Sequence, residues 1–353
     1  MQSSHKPFNL GKLPSEQLAQ FLTNFTRSDP RVIVGPGIGE DAAVLDVGDR
    51  YIVAKSDPIT FASDDIGWYA VHVNANDVAC TGALPRWFLC TALLPERRAD
   101  ATMVEGIFRQ IRRACDEVGA LLVGGHTEIT YGLDRPILVG TMLGEVDPAG
   151  LVTTSGAQHG DAVVLTQGIA IEGTAIIARE MRDDLLARRG YPSDFVERCS
   201  GFIYQPGISV VAAAQVACAT TRVHAMHDPT EGGLATALWE LATAAQVGLE
   251  IDAWAVPVFE ETLSLCNAYE LDPWGLIASG SLLLVVDTAD AQRVCSALRN
   301  ADIEAAVIGR VAPRENGVLL RSSESQSSRR RGEATTRQLP MFERDEIARL
   351  FDA

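Results

Sequence analysis

Four aspartates stand where a carboxylate could do chemistry. Asp41 closes the stretch Gly35-Pro-Gly-Ile-Gly-Glu-Asp41, Asp57 ends a short apolar run just ahead of Pro58, Asp77 falls within an otherwise apolar helical pattern, and Asp228 precedes Pro-Thr-Glu-Gly-Gly233. A carboxylate among small or apolar neighbours is costly to bury unless it meets a cation or a hydrogen-bond donor. Several converging carboxylates supply the oxygen ligands that hard divalent cations such as magnesium take. Singly, each has an ordinary reading too: Asp57 as a turn former, Asp77 bonded to a backbone amide, Asp228 as a helix N-cap. The four together, with the glycines beside them, point to a metal and phosphate site.

Those glycines occur in three places. The loop 35–40, with Gly37 and Gly39, lacks side chains at three positions, so its amides could approach an anion closely. Gly124-Gly125 directly follows an apolar run expected to be a buried strand and leads into His126. Gly232-Gly233 opens a strong helical pattern, where the helix dipole favours phosphate. No Gly-x-x-x-x-Gly-Lys-Ser/Thr string is present, so this is not a P-loop protein. A strand and not a helix is expected after Asp41, which excludes the dinucleotide fingerprint.

The elements that must position these residues alternate between helix and strand. Helices are expected at 12–26, 66–82, 101–118, from about 174, at 209–218 and at 234–245, from apolar residues at helical spacing and Gly or Pro punctuation. Strands are expected at 42–46, at 51–55 (stopped by Pro58), and at 88–94, 121–123, 136–144, 162–166, 223–226, 281–286 and 305–311. Asp147-Pro-Ala-Gly150 marks a domain boundary. The expected organisation is an N-terminal helical segment (1–30), an α/β domain (31–150), a second α/β domain (151–320), a mobile Ser/Arg/Glu-rich linker (321–340) containing Arg329-Arg-Arg331, and a C-terminal amphipathic helix (341–353).

At 353 residues, with 47% hydrophobic and 22% charged residues, the chain has the profile of a two-domain globular protein. No segment approaches the roughly 18 consecutive apolar residues of a membrane span. The polar N-terminus does not read as a signal peptide, so the cytoplasm is the expected location. A formal net charge of -16 argues against nucleic-acid and anionic-membrane partners, though not against a nucleotide held through metal. The seven cysteines (80, 90, 115, 199, 218, 266 and 295) are scattered and never spaced Cys-x-x-Cys, as expected of reduced thiols.

In order, Gly-x-Gly-Glu-Asp-Ala-Ala-Val (37–44), Ser-Asp-Pro (56–58), Asn-x-x-Asp-x-x-x-x-Gly-Ala (74–83), Gly-Gly-His-Thr (124–127) and Asp-Pro-Thr-Glu-Gly-Gly (228–233) resemble the aminoimidazole-ribonucleotide synthetase superfamily, over about residues 31–320. That superfamily includes PurM, ThiL, SelD and HypE. Within it the chain most resembles HypE, through Asp-Pro-Thr-x-Gly-Gly-Leu-Ala and the helix from Asp65-Ile-Gly-Trp68. The resemblance implies a two-domain PurM-like α/β fold whose N-terminal domain pairs across a homodimer. It implies ATP in a cleft near that interface, its phosphates bridged by magnesium to Asp41, Asp57, Asp77 and Asp228, with Asn74 in support. Gly37 and Gly39 would shape the loop near the terminal phosphate, and Gly124, Gly125, Gly232 and Gly233 would offer backbone to the nucleotide. The shared chemistry is phosphoryl transfer to an oxygen, resting on positioning and charge neutralisation.

The chain also departs from the pattern. His126 stands where HypE and ThiL carry aspartate and PurM glutamate, as in SelD-like sequences. It could bond phosphate or substrate, act as an acid or base alongside Asp57, or simply be a satisfied histidine at a strand end. No cysteine follows Cys295, whereas HypE proteins end in Pro-Arg-Ile-Cys, so the cyanide-forming reaction is not expected; SelD's reactive N-terminal cysteine is missing as well. The leading expectation is an ATP-dependent kinase or synthetase with an unassigned acceptor. The alternatives are a HypE-like maturation factor working with an accessory protein partner, and a non-catalytic nucleotide-binding module.

Overall fold

The computed structural model describes residues 13, 15–37, 42–60, 64–323 and 334–351. Gly39, Asp41 and Arg329-Arg-Arg331 lie outside the described residues. After helix α1 (Ser15–Phe25), the first domain is a six-stranded sheet with two helices on it. Its strands are β1 (Val32–Val34), β2 (Ala43–Asp46), β3 (Tyr51–Ile59), β4 (Leu84–Pro95), β5 (Leu121–Thr130) and β6 (Ile137–Val146), in the order β1-β2-β3-β6-β4-β5. Every pairing is antiparallel except β4 with β5.

Helix α2 (Ile66–Cys80) lies between that sheet, helix α3 (Ala101–Val118) and the second domain. All but one of its residues are buried, as expected of a helix that is apolar around its whole circumference. Helix α3 is amphipathic: Ile107, Ile111, Ala114, Cys115 and Val118 face inward, the Asp100 carboxylate accepts from the Met103 N–H at 2.8 Å, and Gly119 closes it in the left-handed conformation.

The chain leaves the first sheet at Val146 and builds a second from β7 (Ala162–Thr166), β8 (Val223–His227), β9 (Gly248–Asp252), β10 (Leu283–Val286), β11 (Ala305–Ala312), β12 (Val318–Ser323) and β13 (Ala334–Gln338), ordered β13-β12-β9-β11-β7-β10-β8. Around it pack α4 (Ile171–Glu180), α5 (Ser193–Ser200), α6 (Val211–Thr220), α7 (Gly233–Ala245), α8 (Glu260–Tyr269) and α9 (Ala291–Asn300). One buried cluster runs from Trp68 and Phe88 through Ile208 and Val211 to Leu284 and Val286, so the two domains share a core. Asn76, fully buried on α2, ties them at the backbone: it donates to Ile208 O at 2.8 Å and accepts from the Val210 N–H at 2.9 Å.

Three expectations change. Pro58 does not stop β3, which runs on to Ile59. The proline is the penultimate residue, on a stretch β2 no longer flanks, so the sheet loses at most one donor. Strand β5 is longer than expected and is not buried. Among the described residues it is an edge strand paired only with β4, leaving Leu121, Val123, Ile129 and Tyr131 exposed. Residues 334–338, assigned to the linker, form β13 against β12, and residues 341–351 are not an α-helix but an irregular stretch closing in a 3-10 turn at Glu346–Leu350. That segment is pinned by side-chain hydrogen bonds, which favour the geometry of the docking surface over a regular helix.

Candidate active site

Strand alternation puts Lys55 and Asp57 on the same face of β3, and helical spacing puts Asp77 and Cys80 one turn apart on α2. The Lys55 ammonium lies 2.7 Å from Asp77 Oδ2 and 3.3 Å from Asp57 Oδ2. Two carboxylates from separate elements therefore converge on one positive charge. Asn74, one turn before Asp77, fixes the strand: the Asp57 N–H donates to its Oδ1 at 2.8 Å, and its Nδ2 donates to Ala70 O at 2.8 Å. A side chain at Gly140, opposite Asp57 on β6, would run into Asn74, so that glycine makes the arrangement possible.

Asp228 arrives from the second domain. It is buried at the end of β8, and the Cys80 thiol donates to its Oδ1 at 3.5 Å. The cysteine one turn beyond Asp77 thus links Asp228 to the same helix. Glu172, at the start of α4, lies near it. Ser279 bonds Glu172 through side chain and backbone, while Glu172 Oε2 is buried without a hydrogen-bond partner. Burial, opposed by Ser279 and reinforced by Asp345 and Asp228, pushes the Glu172 carboxyl up to about 7. Burial likewise raises Asp345 to about 6, against three backbone hydrogen bonds that favour its charged form.

The glycines divide. Gly37 is exposed in the loop three residues past the end of β1. Gly125 has a positive φ of 145°, and a side chain there would collide with the backbone of Cys90, so strand packing accounts for it. Gly124 has only an ordinary contact with Leu89. Three amides at the start of α7 are already taken: Gly232 N–H donates to Asp345 Oδ2 at 2.6 Å, Gly233 N–H to Thr230 O at 3.0 Å, and Ala235 N–H to Trp274 O at 3.0 Å. In this arrangement the Gly232 and Gly233 N–H groups are engaged within the chain. His126 is not brought to the aspartates either. Asp57, Gly140, Cys90 and Gly125 form one row across the sheet, which leaves His126 about 14 Å from β3 at the far edge, beside Glu128 at 3.5 Å. Missed in sequence were Lys55, Cys80, Glu172 and Asp345; only Lys55 carried a signal, two residues from Asp57 on an alternating strand.

Among the described residues no three His, Cys, Asp or Glu side chains are placed to hold a metal by themselves. The donor set nevertheless suits magnesium, which is commonly held by one or two carboxylates plus phosphate and water. The Lys55 ammonium marks where Asp57 and Asp77 can share a cation.

The AIR synthase related protein N-terminal domain matches residues 39–146, and the AIR synthase related protein C-terminal domain matches residues 158–321. The chain belongs to the AIR synthase related family. A hydrogenase expression/formation protein of Methanocaldococcus jannaschii is 29% identical over 81% of this chain and 85% of its own length. The carbamoyl dehydratase HypE of Azotobacter vinelandii is 31% identical over 73% of each. The crystal structure of the hydrogenase maturation protein HypE in complex with ATP superposes with a TM-score of 0.69 at 26% identity, covering 96% of this chain and 97% of that one. This AIR synthase related chain thus has the two-domain PurM-like fold of HypE. No described helix is long and apolar enough to cross a membrane.

Proposed function

We propose that the protein is a magnesium- and ATP-dependent enzyme that phosphorylates an oxygen of its acceptor, making that oxygen a leaving group. The observation that carries this reading is the convergence of Asp57 and Asp77 on one cation site, with Asp228 joined to the same helix through Cys80. Bound there, magnesium and ATP would supply the phosphoryl group and neutralise the charge that develops on it. Asp57 and Asp77 would hold the metal, and Asp41 and Asp228 would complete the set. Asn74 keeps Asp57 in place by gripping its backbone.

The acceptor is read from two observations. Relatives named carbamoyl dehydratase remove water from a carbamoyl group, which makes a carboxamide oxygen the first candidate. The balanced step is attack of that oxygen on the γ-phosphorus with release of ADP and of the first nitrogen proton, giving an O-phosphorylated imidate, then loss of phosphate and of the second nitrogen proton to leave a nitrile. Moreover, none of the seven cysteines is exposed: six are buried and Cys218 is half-buried. Burial pushes Cys90 and Cys218 up to about 11, and Cys115, Cys199 and Cys266 up to about 12. The acceptor is therefore brought by another molecule, which favours, as a second reading, action on a side chain of a partner protein.

The test is a magnesium-dependent ATP assay over a panel of carboxamides, carboxylates and alcohols, each carrying heavy oxygen at the candidate atom. The expected result is ADP, with the label recovered in released phosphate for one acceptor class. ATP turnover with no label in phosphate for any class would refute oxygen activation.

A further inference from the structure

The segment after β13 is built into the second domain in detail. Leu339 is buried in the core, Phe342 packs on Gly275 where any side chain would collide with its ring, and Ile347 and Leu350 pack against the buried cluster that includes Leu265 and Leu276. The Glu346 N–H donates to Gly275 O at 3.0 Å, and its carboxylate accepts from the Asp272 N–H at 2.9 Å and from Arg349 at 2.7 Å. At the centre is Asp345, only 5% exposed. Its carboxylate accepts from three amides: Gly232 at 2.6 Å, Ile277 at 3.2 Å and its own turn's Ile347 at 2.8 Å.

Gly232 is four residues from Asp228, and its φ of 81° makes the bend that turns β8 into α7. Within that bend Thr230 O accepts from both Gly233 and Ala278. The loop carrying Asp228 is therefore held at its far end by a carboxylate that the chain supplies more than a hundred residues later. Buried side chains that orient metal ligands this way are worth large factors in metal affinity.

We propose that Asp345 is a positioning residue for Asp228: residues 339–351 form a strap that completes the candidate site from the second domain. This rests on the reading of Asp228 as a ligand for metal-bound ATP.

The test uses the full chain and its Asp345→Asn and Asp345→Glu variants, with two readouts. One is the magnesium concentration giving half-maximal ATP turnover. The other is hydrogen exchange across residues 226–238, with and without magnesium and ATP. Asp345→Asn is expected to raise the magnesium requirement by about 10- to 100-fold, with partial recovery in Asp345→Glu, and to speed exchange in the loop. An unchanged magnesium requirement alongside a lower melting temperature would reduce Asp345 to a structural residue and overturn the proposal. Tighter ATP binding in Asp345→Asn would overturn it in another way, by showing that the carboxylate competes with phosphate. If the wild type turns over no ATP, the functional reading falls. The proposal is then decided by whether Asp345→Asn shifts the magnesium concentration that protects the loop from exchange, and no shift overturns it.

Discussion

Lys55 lies between Asp57 and Asp77, with its side chain mostly buried, and its positive charge answers both carboxylates. Replacing it by methionine leaves two carboxylates facing each other without that charge. Lys55→Met is expected to lose about 1–3 kcal/mol of stability in chelator, less than a fully buried pair because Asp57 is partly exposed. Added magnesium should recover much of the loss, which a thermal melt with and without the metal would show. Glu172 gives a pH signature. A carboxyl raised from 4.5 to about 7 holds its proton more readily folded than unfolded. Its contribution to stability is thus full below about pH 4.5 and is lost as pH rises through about 7. Glu172→Gln removes that dependence. The melting temperature of the variant relative to wild type should therefore climb between about pH 5 and pH 8; a difference constant across that range would contradict the assignment.

At the scale of elements, α2 does most of the positioning: it carries Asn74, Asn76, Asp77 and Cys80 and touches both sheets' domains. Asn76→Leu would strand the Val210 N–H and the Ile208 carbonyl inside the protein, a cost of about 2–5 kcal/mol. Chemical denaturation should report that loss, along with weaker coupling between the domains. Helices α1 to α4, α6 and α7 and most strands are legible because their apolar periodicity is local, and α3 occupies the expected residues, Ala101–Val118; helices α5, α8 and α9 are not among the expected elements. What was not legible depends on partners distant in sequence. Nothing near Pro58 says that β2 has already ended there, and nothing near Asp345 says that Gly232 waits for it. The aspartates could be singled out from their apolar settings, but the side chains that answer them, Cys80 for Asp228 and Glu172 beside it, could not.

At the scale of the whole molecule, the first sheet ends in an exposed apolar strand. Along β5, Leu121, Val123 and Ile129 are 66%, 53% and 62% exposed, with unpaired ladder positions on the outer side, a surface suited to pairing with a second copy. A homodimer through this edge would also place Gly124, Gly125 and His126 at the interface. Val123→Lys with Ile129→Lys is expected to convert a dimer to a monomer by light scattering; a monomeric wild type would remove this account of β5. The apolar run 121–123 signals a covered strand, but its cover within one chain is missing among the described residues, because β5 stands at the sheet's edge.

Binding of ATP through magnesium at Asp57 and Asp77 is open to calorimetric titration of ATP. In wild type, magnesium is expected to tighten ATP binding by about tenfold or more. In the Asp57→Asn, Asp77→Asn double variant, shown to be folded by its melting transition, that magnesium-dependent gain should vanish. Magnesium-dependent ATP binding of undiminished strength in the double variant would contradict the account.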